Sequence, residues 1–203
     1  MHDLGRNEDR LRGTYEFPFE FHHIDSSHPR YVMSYHWHVE CEIMRVLQGT
    51  LTVTLDEKSF TAKAGDVIFV NSGVLHSGIP QDCIYQCIVF DMNMFLKFNS
   101  VCTEYMQKIS HQELLIYHHF TEKQPDIQRA VNSLFDSFWQ RKPGYELVVF
   151  GQFYHFFGLV FGNHYYLESL RKTRRDYKRI VQLKQVVEFI EKNYASPITL
   201  QEL

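Results

Sequence analysis

The chain has 203 residues, of which 44% are hydrophobic and 22% charged, and its formal net charge is -3 at pH 7. This composition excludes a mainly disordered chain, and the length suits one full domain with accessory elements. The most apolar run, residues 147–161, is interrupted by Gln152 and His155 and is too short to cross about 30 Å of hydrocarbon. We therefore expect a chain with no membrane partner.

Cysteine usage and the polar N-terminus indicate a cytoplasmic protein. The four cysteines form no Cys-x-x-Cys pair, and no signal peptide precedes them. Reduced thiols are therefore expected. Acidic side chains outnumber basic ones in residues 1–167, whereas the reverse holds in 168–203. The basic end indicates either a polyanionic partner or a solvated helix surface.

The first half of the chain has the pattern of β-structure. Residues 1–20 are predicted to form an irregular arm, with strand character near 15–21. Apolar and polar residues then alternate over 31–38, the period of a half-buried strand. A hairpin is predicted over 51–62, a buried strand over 67–70 and a further strand over 83–90. Several short, closely spaced strands indicate a sandwich or barrel.

Helical patterns follow after Asp91. One helix is predicted from Pro125 or Asp126 to Arg141, with proline at its start and Pro143-Gly144 at its stop. A second is predicted over 145–170, where an apolar stripe recurs at steps of three and four residues: Leu147, Phe150, Tyr154, Phe157, Phe161 and Tyr165. The stripe suits core packing, a subunit interface or both.

The last part of the chain combines a charged connector with an interrupted helical unit. Residues 168–179 form the connector, and a short amphipathic helix is predicted over 180–194. Thr199 and Glu202 then have the spacing of a capping box, which predicts a helix beginning at Leu200. Since so few residues cannot support a helix, we expect the sequence to be a fragment that lacks a second domain.

Three histidines and a glutamate form the strongest candidate site. They are His36, His38, Glu42 and His76. Imidazole and carboxylate ligands suit a borderline divalent ion such as zinc, nickel or iron. Without a metal, the same groups can form a polar pocket that grips a hydroxyl-rich ligand.

The spacing around these residues resembles the two motifs of the cupin superfamily. His36, His38, Glu42 and Gly49 match the first motif, and Gly65, Gly73 and His76 match the second, in which Asn71 stands in the position of the usual proline. The chain departs from the family pattern at Arg30, Asn71 and Pro80. The resemblance implies a small antiparallel β-barrel.

The layout of the whole chain is similar to that of the AraC/XylS transcription regulators. The end of the chain, LKQVVEFIEKNYASPITLQEL, resembles the opening of their DNA-binding domain. The resemblance implies an α+β fold: a cupin-like barrel, a helical hairpin for dimerisation and the first helix of a truncated helix-turn-helix domain. The expected division is an arm and sensing barrel (1–92), a dimerisation region (93–170), a basic linker (171–182) and the truncated DNA-binding domain (183–203).

This resemblance implies a ligand-responsive, homodimeric regulator without enzymatic activity. Its effector would be a sugar or another small polar molecule, and it would bind promoter DNA through the missing domain. A metal-dependent cupin enzyme, such as a sugar-phosphate isomerase or dioxygenase, is the alternative. A metal-sensing repressor is a third reading. The sequence names neither the effector nor the residues that bind DNA.

Overall fold

The computed structural model describes residues 6–7, 12–97 and 101–169, together with three isolated helical positions at 182, 186 and 189. The predicted linker over 171–182 and the predicted DNA-binding segment over 183–203 lie outside the described residues, apart from those three positions. The strands are β1 Arg6–Asn7, β2 Phe19–Ile24, β3 Met33–Trp37, β4 Cys41–Leu55, β5 Lys58–Lys63, β6 Val67–Val70, β7 His76–Phe90, β8 Leu114–Ile116, β9 His119–Phe120 and β10 Tyr166–Glu168. The helices are α1 Thr103–Ser110, α2 Pro125–Gln140, α3 Tyr145–Gly162 and a 3₁₀ helix over Met92–Leu96.

Two long strands, β4 and β7, organise the fold. They pair antiparallel over their whole length, from Cys41 opposite Phe90 to Leu55 opposite His76. The register shifts between Val46 and Thr50, where Gly49 has a φ of +68° and a Cβ would collide with the Asp82 carbonyl. A bulge of this kind bends the sheet, so the two halves of each long strand find different neighbours.

The remaining strands join the two halves of β4 and β7. On β4, the first half pairs with β6 and the second with β5, while β7 pairs first with β3 and then with β2. All these pairings are antiparallel, whereas β1 runs parallel to β3. A mostly antiparallel sheet carrying helices confirms the predicted α+β class.

The side chains of β4 alternate between two apolar clusters. Ile43 belongs to the cluster that the sheet shares with α2 and α3, whereas Met44 and Val46 belong to the cluster inside the β-structure. This alternation follows from the pleat of a strand, in which successive side chains point to opposite faces. Glu42 consequently has its side chain on the inner face, away from the helices.

The two long helices occupy the predicted region, but α3 is shorter than predicted. α2 matches the predicted range, and Arg141 and Gly144 adopt left-handed conformations in the connection to α3. α3 ends at Gly162 instead of residue 170, because a turn with His164 at φ +56° leads into β10, which pairs with β8.

The buried face of α3 also differs from the predicted apolar stripe. Its buried residues are Val149, Phe153, Phe156, Phe157 and Val160, whereas Leu147 is 80% exposed and Tyr154 is 36% exposed. Nearly every side chain of this helix is apolar, so the sequence period did not define which face turns inward. None of the helices in the described part of the chain combines the length and apolar character that a membrane span requires.

Candidate metal and effector site

The structure brings all four predicted site residues together. His36 lies on β3, His38 directly after it, Glu42 near the start of β4, and His76 at the start of β7. His36 and His76 are partners in the β3–β7 register. One donor atom from each of the four residues lies within 4.8 Å of the others.

The turn after β6 holds the two motifs against each other. The Gly73 amide donates to the His38 carbonyl at 2.9 Å, and the Ser72 hydroxyl donates to the Val39 carbonyl. These bonds tie the connection between β3 and β4 to the segment that leads into His76. The glycine-marked turn of the second motif therefore fixes the position of the histidines in the first.

Each imidazole of the cluster presents the same nitrogen to a backbone carbonyl. The Nδ1 atoms of His36, His38 and His76 lie 2.9, 3.0 and 2.9 Å from the carbonyl oxygens of Ser34, Glu40 and Val74. A neutral imidazole whose Nδ1–H donates to a carbonyl keeps only a lone pair on Nε2. Metal-binding histidines are typically oriented by a hydrogen bond of this kind.

Glu42 places one carboxylate oxygen among these nitrogens. Its Oε2 lies 3.2 Å from the Nε2 of His76 and 3.5 Å from the Nε2 of His38. The Nε2 of His38 is buried and has no hydrogen-bond partner. In the neutral tautomers, acceptor atoms thus face one another in a buried volume, an arrangement that a proton or a metal cation satisfies.

Burial and neighbouring charges shift the ionisation of the cluster. Burial opposes ionisation of Glu42, but the His38 and His76 imidazoles outweigh it and hold the pKa of Glu42 well below its ordinary value. Burial, reinforced by the neighbouring His76, lowers the pKa of His36 from 6.5 to about 4. Near neutral pH, His36 and Glu42 are therefore both deprotonated, the form in which such residues bind metals.

The donor set fits a divalent cation after a small contraction. Two donors bound to one ion at about 2.1 Å can lie at most about 4.2 Å apart. Since the four donor atoms span up to 4.8 Å, the widest pair must close by about 0.6 Å if these donors lie opposite each other on the ion, and by about 1.4 Å on a tetrahedral ion. Small rotations of side chains achieve this, so His36, His38, Glu42 and His76 can hold a metal ion.

A cavity of about 270 Å³ lies against this cluster. It reaches His36, His38 and Glu42 and is also lined by side chains that were not predicted as site residues. Among these are Arg12, Arg30, Tyr85 and Cys87. The four-residue cluster and the cavity are thus one continuous site.

The sequence pattern could not predict that these additional residues line the cavity. Arg12 lies before β2 and belongs to no recognisable sequence motif. Tyr85 and Cys87 alternate along β7, but only the strand register shows that they face inward. His22 also lines the cavity, whereas the Nδ1 of His23 lies 2.9 Å from the Gln86 amide nitrogen.

Asn71, where the cupin motif has proline, makes a specific contact. Its side-chain amide donates to the Ile116 carbonyl at 2.8 Å, and its Oδ1 accepts from the Ile116 amide at 3.0 Å. The side chain thereby imitates a backbone peptide and joins the end of β6 to β8. This departure from the motif contributes structure rather than metal ligands.

A polar connection runs from the outer face of the sheet to α2. Arg45 donates through Nε to Gln86 Oε1 at 2.8 Å, through Nη1 to Asn132 Oδ1 at 3.0 Å and through Nη2 to Asp136 Oδ1 at 2.9 Å. Arg45 is three residues after Glu42 on the same strand. The strand that carries Glu42 is therefore bonded directly to α2.

Comparison with known proteins shows the family. Residues 18–155 match the family described as "AraC-like ligand binding domain". The chain is 24% identical over 174 residues to a protein of Bacillus subtilis strain 168, the "Uncharacterized HTH-type transcriptional regulator YdeC". That match covers 83% of this chain and 58% of the relative, so the chain spans little more than half of the relative's length.

Similarity to solved structures is more limited. A Bacillus subtilis oxalate decarboxylase with Mn(II) centres is 25% identical, over 30% of this chain and 18% of that one, with a TM-score of 0.27. The SPY1581 protein of unknown function from Streptococcus pyogenes is 15% identical, over 36% of this chain and 62% of that one, with a TM-score of 0.31. TM-scores of this size say nothing about function.

The match over residues 18–155, by contrast, includes the whole cluster and most of its cavity, and the chain belongs to the family of AraC-like ligand-binding domains.

Proposed function

We propose that this chain is the sensing and dimerisation part of a ligand-responsive, cytoplasmic transcription regulator. A small polar effector, such as a sugar or sugar derivative, binds in the 270 Å³ cavity. Promoter DNA is bound by a helix-turn-helix domain that begins within residues 183–203. Membership of the AraC-like family and the similarity to a helix-turn-helix regulator support this function over a metal-dependent enzyme.

One observation carries the proposal. Four convergent donors, three of them with their second nitrogen already bonded to the backbone, lie against the cavity of an AraC-like ligand-binding domain. His36, His38, Glu42 and His76 would hold a divalent cation of the zinc, nickel or iron type. When bound, the cation would supply an electrophilic anchor for an oxygen atom of the effector. The surrounding protein orients the donors through the backbone carbonyls and keeps His36 neutral and Glu42 anionic.

The exposed face of α3 supports the proposed homodimer. Leu147 and Val148 are 80% and 45% exposed, and Cβ atoms added at Gly151, Gly158 and Gly162 would meet open space. Glycines at steps of seven and four residues allow another backbone to approach closely, and adjacent exposed apolar side chains favour burial. The occupant that suits this face is the same helix of a second copy.

Metal titration tests the proposed site. Isothermal titration with Zn²⁺, Ni²⁺ and Fe²⁺ should show one ion per chain, and Glu42→Gln or His76→Ala should weaken binding about tenfold or more. A free ion at about 100 times its Kd should add about 2.7 kcal/mol of stability, or roughly 5–10 °C in Tm for a chain of this size. His164→Asn removes an exposed imidazole outside the cluster and serves as the matched control.

The regulatory part of the proposal requires the protein expressed from the complete gene. Its affinity for DNA upstream of that gene should change about 5–150-fold when metal or effector is added, which corresponds to a coupling of about 1–3 kcal/mol. A change caused by metal alone would identify the ion as the signal. Equal ion binding by wild type and both cluster variants would contradict the metal site, and unchanged DNA affinity would contradict the regulator.

A further inference from the structure

We propose that Glu40 is a positioning residue for the cluster: its carboxylate strengthens cation binding at the Nε2 of His38 without itself touching the ion. The inference rests on the proposed function in that a divalent cation occupies the cluster. It adds a fifth side chain to the four donors, and this side chain lies outside the group of residues that could bind the ion.

Glu40 lies in the connection between β3 and β4, beside the ring nitrogen of His38 that the proposed cation would not use. Its Oε2 is 3.8 Å from the Nδ1 of His38, and its backbone carbonyl oxygen is 3.0 Å from the same atom. The other ring nitrogen, Nε2, lies 3.5 Å from the Oε2 of Glu42. His38 is therefore placed between two carboxylates, one near each of its nitrogens.

The Glu40 side chain is mostly withdrawn from water. It is 14% exposed, and the side chain of His38 is 2% exposed. In the described part of the chain, the Oε2 of Glu40 is a buried atom without a hydrogen-bond partner. A carboxylate oxygen buried in this way has lost its hydration without gaining a donor, which costs free energy. That cost is offset when a donor or a positive charge reaches this oxygen.

The imidazole of His38 has an unsatisfied atom at its opposite end. Its Nε2 is also buried and lacks a hydrogen-bond partner among the described residues. A cation on Nε2 withdraws electron density from the ring and makes the Nδ1–H group more positive. A carboxylate beside Nδ1 stabilises that charge, as in carboxylate–histidine–zinc triads. One ion would thus satisfy both atoms, the nitrogen directly and the Glu40 oxygen through the ring.

A short movement of the side chain completes the contact. A charge-assisted N–H···O hydrogen bond is about 2.8 Å long, so the Glu40 Oε2 must approach the Nδ1 of His38 by about 1 Å. The residues on both sides are fixed, since the Ser72 hydroxyl donates to the Val39 carbonyl and Cys41 is buried in the core. The carboxylate therefore moves by rotation of its own side chain, and the Nδ1–H is then shared between two oxygens of Glu40.

The other two imidazoles of the cluster have a different environment at this nitrogen. The Nδ1 atoms of His36 and His76 each lie 2.9 Å from a backbone carbonyl oxygen. Within the described residues, His38 is the histidine of the cluster whose Nδ1 also has a carboxylate oxygen as near as 3.8 Å. A loss of affinity caused by removing the Glu40 charge should therefore depend on His38.

Calorimetry with Ni²⁺ on the 203-residue chain tests the inference. Glu40→Gln keeps the shape and the backbone carbonyl but removes the charge, and it should weaken ion binding about tenfold, the lower end of the effect of such outer partners. Glu40→Asp keeps the charge and should retain part of the affinity. Glu57→Gln makes the same change at an exposed position in the turn after β4 and should leave the Kd unchanged.

Two further measurements separate positioning from a structural role. The metal-free Tm of Glu40→Gln should stay close to the wild-type value, whereas a structural role would lower it at an unchanged Kd. In a His38→Ala background, Glu40→Gln should cause less than about a twofold further loss of affinity, because the imidazole through which Glu40 acts is absent.

Failure of the inference differs from failure of the metal site. Equal Kd values for wild type and Glu40→Gln, or the same loss with and without His38, would overturn the role of Glu40 while the metal site stands. A wild-type chain that binds no Ni²⁺ would refute the metal site and, with it, this role.

Discussion

At the scale of single residues, the cluster contains an imidazole whose protonation is disfavoured, His36, and a buried acceptor nitrogen without a hydrogen-bond partner, the Nε2 of His38. The His36 imidazole is held near His76, with ring centres 4.1 Å apart, and its pKa is lowered to about 4 by burial and by that neighbour. Its Nδ1 is directed at the Ser34 carbonyl. The folded chain therefore disfavours a charged His36, while the unfolded chain accepts a proton at the ordinary pKa of 6.5.

Stability without metal should depend on pH through His36. Because the folded pKa is lower than the unfolded one, the unfolded chain binds more protons between pH 6.5 and 4, and the free energy of unfolding falls as the pH falls through that window. Urea unfolding with EDTA at pH 7 and pH 5 should show a smaller free energy of unfolding at pH 5. His36→Asn should flatten this difference.

Glu42 titrates at lower pH than His36, so a Glu42 variant serves as a control for the pH dependence assigned to His36. Its folded pKa lies well below the ordinary 4.5, so its contribution is present above pH 4.5 and disappears as the pH falls through the folded pKa. Glu42→Gln should leave most of the decline between pH 7 and 5 in place. An equal slope for wild type and His36→Asn would show that His36 does not titrate as the structure indicates.

The ligand residues were predictable from the sequence, but much of their surroundings was not. His36, His38, Glu42 and His76 were predicted together because they occur with marked glycines at fixed offsets, and the structure brings them together. Arg12 could not be found in this way, since its place depends on how the arm packs. The same limit applies to Tyr85 and Cys87, whose direction depends on strand register.

At the scale of elements, Arg45 connects β4 with α2. It is buried and lies with its guanidinium carbon 5.0 Å from the centre of the Phe135 ring, in addition to its bonds to Gln86, Asn132 and Asp136. Gln86 is itself buried, whereas the Asp136 side chain is 56% exposed. The bond to Gln86 should therefore matter more to stability than the exposed ion pair.

Replacing Arg45 should separate these contributions. Arg45→Ala leaves the Gln86 carbonyl oxygen without its donor and should lower the free energy of unfolding by about 1–3 kcal/mol. Asp136→Asn weakens only a partly exposed pair and should cost less than about 1 kcal/mol. Chemical denaturation of both variants and of the double variant measures the coupling. A larger loss for Asp136→Asn than for Arg45→Ala would contradict this division.

The helices illustrate what local sequence signals can specify. Pro125 and the Pro143-Gly144 pair marked the start and stop of α2, because they act through their own backbone geometry. The end of α3 escaped prediction, since it depends on β10 pairing with a strand some fifty residues earlier. The inward face of α3 was also misassigned, because an apolar residue on every side leaves no period to follow.

At the scale of the whole molecule, the exposed face of α3 decides the expected assembly. Light scattering coupled to size exclusion should show a dimer for the wild-type chain. Leu147→Glu places a charge on the exposed apolar face and should yield a monomer without a comparable loss of stability, because Leu147 is already 80% exposed in one copy.

A second exposed leucine provides the matched control. Leu167, on β10, is 61% exposed and lies outside α3. Leu167→Glu should therefore keep the dimer. A wild-type monomer at tens of micromolar, or a dimer that survives Leu147→Glu, would exclude this face as the interface.

The alternation of β4 side chains between the two faces of the sheet has a consequence for the evolution of the sequence. Glu42 contacts the imidazoles of the cluster, while the next residue, Ile43, packs among the aromatic side chains beneath the helices. A substitution that moves this part of β4 at the cluster therefore also disturbs the packing of the sheet against α2 and α3. In the proposed regulator, a change of effector would therefore alter the packing of the helices in the same mutational step, and compensating changes should accumulate on α2 and α3.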